Sequence, residues 1–509
     1  MKEKILEALA AAMPTDRQKE EVPRWFVLAA NLSLKLHLEN SFYAFERVVR
    51  CGGLLSALPP EIASKHLAPK TQQILLECRG FNDKNHYART TPCDQDFLRK
   101  FVRDVRATDW QAWFNGAVQR TFQAYGFFDP AGIFIGDGSY LFVPDNPEYE
   151  GSVVMWFDEH NHPVEYEKLS PQERKKVHRE RCYKLVSLLH LRGEGYVYAA
   201  LAVVPGNAHE CPVLYELVEQ FVKQVGQGVI KRLILDRGFI DGKNITRCKL
   251  EWGMDVLLPL KRKMDIWDDA WALGKRCPWQ ELAAPVPQPK PAPSHRPEAI
   301  LRRELKRQKT LAAKKAKEPP PDPAKVVVRT ELCPIKGFTS WSECGVPINV
   351  LLIRETYADR HQDQWALMDT GEAGRQSKDE YDLRTKIEER HRVLKCFHDL
   401  SDFHSRCFNV IVAQVGFILL SYTLRQWQLW KIRQQELAGK TPGLLGRQLN
   451  LHSEHVVIYH QKAYTRMPLV TFSRELLEMS AQARAKALVK VRKLEQSFLT
   501  PLENLRAPP

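Results

Sequence analysis

The chain has 509 residues, which is enough for about three domains and a large buried core. Its 75 lysines and arginines exceed its 61 aspartates and glutamates, so the net charge of +14 favours a polyanionic partner, nucleic acid first and an acidic membrane surface second. With 44% hydrophobic and 27% charged residues, the composition excludes a wholly disordered or fibrous chain.

The cysteines and the apolar segments indicate a cytoplasmic protein. There are 11 cysteines, an odd number without a C-x-x-C pair, so neither a disulfide framework nor a zinc ribbon is indicated. The helix-like run at 5–13 is too short and too polar for a secretory signal. The longest apolar stretch, 408–424, contains Asn409, Gln414 and Ser421 and falls short of the roughly 20 apolar residues of a membrane span. We expect a core helix there and no membrane association.

The sequence pattern changes from helical to strand-like near residue 130. Residues 1–125 show helical patterns only, with a plausible N-terminal cap at Asn40-Ser41. From Gly132 onward, short apolar and partly β-branched runs predict strands at 132–135, 185–191, 196–204 and 230–235. Apolar residues at helical spacing over 211–225 predict a crossover helix between parallel strands. The core is therefore predicted to be α/β.

A proline-rich segment interrupts this core. Ten of the 32 prolines fall within 285–323, and residues 301–318 contain eight Lys or Arg against two Glu. Such a stretch does not form a packed core, so it is either an exposed segment that contacts phosphate or a solvated linker without a role. Strand-like sequence resumes at 326–329 and 348–354, and helices are predicted at 379–400 and 408–433.

Two acidic residues follow apolar strands of the presumed sheet. Asp137 comes after the apolar run Ile133-Phe134-Ile135 and is flanked by glycines, where we expect the backbone to be open to a ligand. Asp236 ends the run Leu233-Ile234-Leu235. Open α/β sheets bind ligands at the carboxyl ends of their strands, although either aspartate alone is equally explained as a turn former.

A polar stripe on the following helix carries a third acid. Tyr381, Arg384, Glu388 and Lys395 are separated by three, four and seven residues, and at about 100° per residue they fall within about 60° of one another on an α-helix. The neighbouring Glu389 is rotated off this stripe. The alternative is an exposed helix stabilised by ion pairs between residues i and i+4.

The Asp-Gly-Ser at 137–139, the Asp-Arg-Gly-Phe at 236–239 and the Tyr-x2-Arg-x3-Glu-x6-Lys pattern at 381–395 together resemble the DDE transposases of the insertion-sequence-four group. The resemblance covers roughly residues 130–425 and implies a ribonuclease H-like catalytic core interrupted by an insertion. It implies a catalytic and metal-binding triad of Asp137, Asp236 and Glu388. It further implies that Tyr381, Arg384 and Lys395 bind transposon-end DNA. Two departures are Lys386, where the family commonly has an aromatic residue, and an unexplained polar segment at 148–181.

This resemblance gives a domain plan and a function. The plan comprises a helical N-terminal DNA-end-recognition region at 1–125, the first part of the catalytic core at 126–264, an insertion with the basic linker at 265–347, the second part of the core at 348–425, and a helical C-terminal region at 426–509. The expected function is that of a cut-and-paste DNA transposase of an insertion sequence, acting as a homodimer on inverted-repeat ends and target DNA near a bacterial or archaeal nucleoid. The alternatives are a structure-specific nuclease or resolvase that does not join strands, and an inactive DNA-binding protein.

The charges of the triad indicate the cofactor. Three converging carboxylates repel one another unless divalent cations neutralise them, and hard oxygen ligands select Mg²⁺, with Mn²⁺ as an alternative. Two such ions, about 4 Å apart, suit phosphodiester cleavage and joining at one site.

Other candidate residues have simpler explanations. Asp369 also ends an apolar stretch and is the main rival for the third carboxylate, although a turn explains it as well. Residues 398–404 contain two histidines and two aspartates that a helix end explains, so no zinc is assigned. Trp267 and Trp341 are candidates for stacking on a flipped base, with core packing as the alternative. Asp241 is expected to cap the next helix.

Overall fold

The computed structural model describes residues 4–20, 22–45, 93–193, 195–282, 322–431, 455–460, 463–468, 476 and 478–489. Within these residues the chain is a mixed α/β protein with one large mixed sheet and helices on both of its faces, which confirms the predicted α/β class. Most of the predicted proline-rich basic linker lies outside the described residues.

The helices and strands, in chain order, are as follows. The helices are α1 Ile5–Ala11, α2 Arg24–Leu36, α3 Gln95–Asp104, α4 Ala107–Trp113, α5 Gln119–Ala124, α6 Glu210–Val225, α7 Gly242–Leu250, α8 Asp265–Gly274, α9 Arg375–Asp382, α10 Thr385–Phe397 and α11 Phe408–Lys431. The strands are β1 Gly132–Val143, β2 Val153–Phe157, β3 Pro163–Val164, β4 His178–Arg192, β5 Gly195–Pro205, β6 Ile230–Ile234, β7 Asp255–Pro259, β8 Gln280–Glu281, β9 Val327–Phe338, β10 Ile348–Tyr357, β11 Gln362–Asp369, β12 His455–His460 and β13 Ala463–Pro468.

One half of the sheet has the order β5-β4-β1-β6-β7. Strand β4 is antiparallel to both β5 and β1, whereas β1, β6 and β7 are parallel. Helix α6 connects β5 to β6, so the four predicted strands and the crossover helix are confirmed. Strand β1 is longer than predicted because β4 pairs with it as far as Val143, and Asp137 therefore lies inside the strand and not at its end.

Side-chain amides from the N-terminal helices cover the outer edge of β5. Gln111, Asn115 and Gln119 bond to backbone groups of Val203, Leu201 and Ala199 at 2.8–3.0 Å. The three amide residues are four positions apart, which is a rise of about 6 Å in a helix. Their partners are two positions apart, which is about 6.6 Å in a strand, so the two spacings match along the edge. An edge satisfied in this way does not offer its backbone to another chain.

The polar segment at 148–181 extends the sheet. Strands β2 and β3 form a hairpin, and β2 pairs with the first residues of β4. The Trp156 and Tyr166 rings stack with centroids 4.2 Å apart, and the Arg174 guanidinium lies 4.8 Å from the centre of the Tyr166 ring. The segment that the sequence left unexplained is thus a folded extension of the sheet.

The other half of the sheet continues from β7 through β11, β10 and β9 to β8, with antiparallel pairing throughout. Strand β9, which falls in the predicted insertion, pairs with β10, which falls in the predicted second part of the core. The predicted domain boundaries at 265 and 347 remain predictions.

The helix predicted at 379–400 is two helices. Leu383 and Arg384 form a tight turn between α9 and α10, in which the Arg384 N–H donates to the Tyr381 carbonyl at 2.9 Å. The Ile387 N–H in turn donates to the Arg384 carbonyl at 3.1 Å. These bonds span three residues instead of four, so the turn is tighter than an α-helix but does not reverse the chain.

Helix α11 is the core helix that the sequence predicted. It is long and apolar enough to cross a membrane, but 83% of its most apolar 18-residue window is buried inside the protein. Trp110 and Trp113 of α4 lie 5.4 and 6.0 Å from the Phe417 ring, and Phe127 stacks on Trp427 at 4.6 Å. Aromatic residues of α4, together with Phe127, thus pack against this helix.

The described parts of both terminal regions can be compared with the prediction of helices. The described residues of 1–125 are helices and their connections, as predicted. At the C-terminal side, β12 and β13 form an antiparallel hairpin, so the predicted helical region there is not helical throughout. Residues 481–489 are helical.

A buried lysine ties the N-terminal helices to the segment after α10. The Lys35 ammonium donates to the Asn40 side-chain oxygen at 2.6 Å, and the Asn40 amide donates to the Asp399 and Asp402 carbonyls at 2.6 and 2.9 Å. Burial lowers the pKa of Lys35 to about 7, although the nearby Asp399 carboxylate opposes this shift.

We predict that the free energy of unfolding rises with pH between about 7 and 10.5, since over that window the unfolded chain binds more protons at Lys35 than the folded chain does. Below this window the lysine is charged in both states, and above it neutral in both. Replacing Lys35 by Met should remove a pH-dependent part on the order of 2 kcal/mol between about pH 7 and pH 9. Urea unfolding of both proteins at these two pH values measures it, and an unchanged pH dependence in Lys35→Met would contradict the assignment.

Candidate functional site

The two predicted aspartates lie side by side on neighbouring parallel strands. Strands β1 and β6 pair with Ile135 opposite Ile234, and each aspartate follows its partner of this pair by two residues. Adjacent strands are about 4.8 Å apart, so Asp137, within β1, and Asp236, just after β6, are expected at neighbouring positions of the sheet. The Asp137 side chain is 15% exposed, and the Asp236 carboxylate accepts the Arg237 N–H at 2.8 Å.

The glycines beside these aspartates do not leave the backbone open, as the sequence had led us to expect. A Cβ atom at Gly136 would lie 2.6 Å from Leu214 of α6, and one at Gly138 would lie 2.1 Å from a carboxylate oxygen of Glu210. At Gly238 the other oxygen of Glu210 would be 3.3 Å away. The glycines of both aspartate motifs therefore make room for helix α6, and the contact of Glu210 with Gly138 and Gly238 is one that sequence reasoning missed.

The signature residues come from both sides of the turn between α9 and α10. Tyr381 lies in α9, Arg384 in the turn, and Glu388 and Lys395 in α10. The four were predicted on one continuous helix, but a tight turn interrupts it, and Tyr381, Arg384 and Glu388 remain neighbours across this turn. The Arg384 guanidinium lies 2.6 Å from the Glu388 carboxylate and 5.9 Å from the centre of the Tyr381 ring.

Arg384 is the common electrostatic neighbour of all three predicted catalytic acids. Burial would lower the pKa of its guanidinium, but the charges of Tyr381 and of the three acids together raise it above its usual value. The acids that act on it are Asp236, Glu388 and Asp137. Glu388 remains 49% exposed at its side chain, whereas Arg384 is 19% exposed. One cation thus partly neutralises the repulsion among three carboxylates.

The pKa values of Tyr381 and Lys395 are also affected by the predicted catalytic acids. Burial raises the pKa of Tyr381 to about 12, and the nearby Asp236 and Glu388 carboxylates act in the same direction, against Arg384. Burial lowers the pKa of the half-buried Lys395, while the Asp137 carboxylate opposes the shift. Lys395 therefore lies within electrostatic reach of the first acid.

The donor chemistry of the site suits a divalent cation. Its three predicted ligands are carboxylates, which Mg²⁺ and Mn²⁺ prefer over nitrogen and sulfur ligands. Within the described ranges no three His, Cys, Asp or Glu side chains are close enough to hold a single ion, and Arg384 lies among the acids instead. The roles of Asp137, Asp236 and Glu388 as ligands remain predictions.

A buried histidine that the sequence did not single out contacts the first acid. The Nδ1 atom of His391 lies 3.6 Å from an Asp137 carboxylate oxygen, and its Nε2 atom lies 3.0 Å from the Ser187 hydroxyl. His391 follows Glu388 by three residues on α10. Only that helical spacing could have indicated it, because nothing in the sequence shows that α10 lies over β1.

The rival acid Asp369 has a structural role. It is fully buried at the end of β11, where both of its oxygens accept hydrogen bonds from the Arg232 guanidinium. The Arg232 Nε atom donates to Glu380 of α9 at 2.6 Å, and the Ser377 hydroxyl donates to Asp369 at 2.8 Å. This network holds α9 against β6 and β11. It thereby also positions the turn between α9 and α10.

The remaining candidates fit their simpler explanations. Asp241 caps α7 by accepting the Asn244 N–H at 3.0 Å, as predicted. The His398 ring accepts from Arg425 at 3.0 Å. Trp267 and Trp341 are half-buried and pack against the core, and a role in base stacking remains a prediction.

Fold and site together define an α/β protein with a carboxylate-rich site that is bordered by an arginine, a lysine and a tyrosine. The chain matches the model of the transposase DDE domain family over residues 149–424, which is more than half of its length. The protein therefore belongs to the DDE transposases, a class of enzymes that act on DNA. The matched segment contains Asp236, Glu388 and the other signature residues, and it begins after Asp137.

The chain also resembles a solved structure, and no curated protein matches it. That structure is the cryo-EM structure of the piggyBac transposase synaptic complex with hairpin DNA. The TM-score is 0.33 at 9% identity, with 88% of this chain and 79% of that chain covered. Domains of the DDE family generally use divalent metal ions.

We predict that Arg232→Met destabilises the protein by about 3–5 kcal/mol, because it leaves the carboxylates of Asp369 and Glu380 buried without their partner. Arg247→Met is the matched control, since Arg247 pairs with Glu219 and Glu251 at the surface and should contribute about 1 kcal/mol or less. Urea unfolding measures both, and equal small losses would contradict a supporting role for Arg232.

Proposed function

We propose that this protein is a cut-and-paste DNA transposase of an insertion sequence, of the insertion-sequence-four group. It would release the 3′ end of the transposon by metal-dependent phosphodiester hydrolysis and join that end to target DNA by transesterification at the same site. The observation that carries this proposal is that Arg384 pairs with Glu388 at 2.6 Å and also interacts electrostatically with Asp137 and Asp236, in a chain of the DDE transposase family.

The sheet supports a ribonuclease H-like core. Three antiparallel strands, β5, β4 and β1, are followed by the parallel strands β6 and β7, and the first two acids lie on the adjoining strands β1 and β6. The third acid comes from a helix that lies over β1. In this arrangement three residues far apart in sequence reach one edge of a sheet.

Asp137, Asp236 and Glu388 would hold two Mg²⁺ ions, or Mn²⁺ in their place. When bound, such ions activate a water or 3′-hydroxyl and stabilise the leaving oxygen of an in-line displacement. The protein's own part is to orient the three carboxylates, and Arg384 contributes by offsetting part of their negative charge.

The signature cations and the phenol would bind the DNA end. Arg384 can hold a phosphate with two parallel N–H donors, and Lys395 would act as a point charge. The net charge of +14 favours association with DNA as a whole. We further propose a homodimer that holds two transposon ends together and a location at the nucleoid of a bacterial or archaeal cytoplasm.

We predict that Asp137→Asn, Asp236→Asn and Glu388→Gln each lower the rate of DNA cleavage by at least about 10³-fold, the scale on which loss of a catalytic group acts in other enzymes. DNA binding should survive. The assay uses the purified full chain, Mg²⁺ and a plasmid that carries the inverted repeats flanking the coding region.

Glu389→Gln is the matched control for the third acid. Glu389 is the next residue on the same helix, is similarly exposed at 45% and pairs with Arg390 at 3.0 Å, so its removal should leave cleavage unchanged. If Glu388→Gln cuts at the parental rate, the triad is wrong. Excision with joining supports a transposase, cleavage alone supports a nuclease or resolvase, and binding alone supports an inactive DNA-binding protein.

We predict that Lys395→Ala mainly weakens binding to transposon ends and lowers the slope of log K against log salt by about 0.9, the value for one phosphate contact. Lys378→Ala is the matched control, since the Lys378 ammonium is already paired with Asp382 at 2.7 and 2.8 Å. Fluorescence anisotropy over a salt series measures both slopes. Equal slopes for Lys395→Ala and the parental protein would rule out the phosphate contact.

A further inference from the structure

His391 connects three parts of the site through one imidazole ring. It belongs to α10, three residues after Glu388, and only 3% of it is exposed. Its two ring nitrogens face Asp137 of β1 and Ser187 of β4. Asp137 and Ser187 lie directly opposite each other on the paired strands β1 and β4. The imidazole ring therefore contacts two neighbouring strands.

The hydrogen-bonding capacity of the three groups fixes their direction. A neutral imidazole donates from one nitrogen and accepts at the other. An ionised carboxylate only accepts, so the Nδ1–H is directed at Asp137 and Nε2 accepts from the Ser187 hydroxyl. Ser187 is fully buried, and its hydroxyl can rotate to donate in this direction. The ring is thus hydrogen-bonded to Ser187 at 3.0 Å, while its Nδ1 atom faces the Asp137 carboxylate at 3.6 Å, just beyond hydrogen-bond distance.

We propose that His391 is a positioning residue that orients the Asp137 carboxylate for metal binding and couples it to the helix that carries Glu388. The ring faces the Oδ2 atom of Asp137, whose side chain remains 15% exposed. This inference rests on the proposed function, because it requires Asp137 to be a metal ligand. Removal of a residue that orients a metal ligand in this way typically lowers metal affinity by about 10- to 100-fold.

Three substitutions at His391 separate positioning from packing. In His391→Leu both polar contacts are lost. The side-chain amide of Asn reaches the place of Nδ1 and can still donate to Asp137, whereas the longer amide of Gln reaches the place of Nε2 and serves only Ser187. A purely structural histidine would show no preference for Asn over Gln in metal binding.

The control is a second buried histidine at the end of the same helix. His398 is 5% exposed and contacts Arg425 and the Tyr422 ring, and it touches none of the three predicted acids. His398→Leu should therefore lower thermal stability without changing metal affinity. Ser187→Ala, which removes only a hydroxyl, should weaken metal binding less than His391→Leu does.

The experiment measures binding of Mn²⁺ alone to the full-length protein by electron paramagnetic resonance, with thermal unfolding as a check on folding. We expect His391→Leu and His391→Gln to weaken Mn²⁺ binding by about 10-fold or more and His391→Asn to restore most of it. Parental affinity in a folded His391→Leu would overturn the positioning role.

The same titration separates this inference from the proposed function. If Asp137→Asn loses Mn²⁺ affinity and His391→Leu keeps it, only the positioning role fails. If Asp137→Asn also binds Mn²⁺ like the parental protein, or the parental protein binds none, the predicted metal site fails and the role of His391 fails with it.

Discussion

The parallel pairing of β1 with β6 is the constraint on which the site depends. It sets Asp137 and Asp236 two residues beyond the paired Ile135 and Ile234, although about a hundred residues, four strands and helix α6 separate them along the chain. A slip of one residue in either strand would turn its aspartate to the opposite face. The buried apolar residues of both strands oppose such a slip, so the hydrophobic core also fixes the position of the acids.

The charge balance of the site depends on a single arginine. Arg384 lies in the turn between α9 and α10, where it pairs with Glu388 and interacts with the two aspartates on the sheet. The hydrogen bonds of Arg232 to Glu380 and Asp369 hold α9 against the sheet, and they thus fix the position of the turn that follows α9. The Arg384 guanidinium thus offsets part of the negative charge that the three acids bring to the site.

The sequence predicted the larger features of the site better than its contacts. Apolar runs located the strands, and the spacing of four polar residues located α10. Periodicity did not show the break at Leu383, because a tight turn with bonds over three residues changes the helical pattern very little. The glycine beside Asp137 was read as an opening for a ligand, whereas Glu210 fills that space from a helix that follows 70 residues later. Contacts of this kind depend on tertiary packing, which no local pattern records.

The distinction between Glu388 and Asp369 illustrates what only the fold can decide. Asp369 follows an apolar strand and Glu388 belongs to a polar stripe on a helix, and both were candidates for the third ligand. Asp369 is fully buried and its charge is matched by Arg232, 137 residues away in the sequence. An acid paired in this way is costly to separate from its partner. Glu388 is half exposed and faces Arg384, so it is the acid that can exchange its partner for a cation or for DNA-bound ligands, and this accessibility favours it as the third member of the triad.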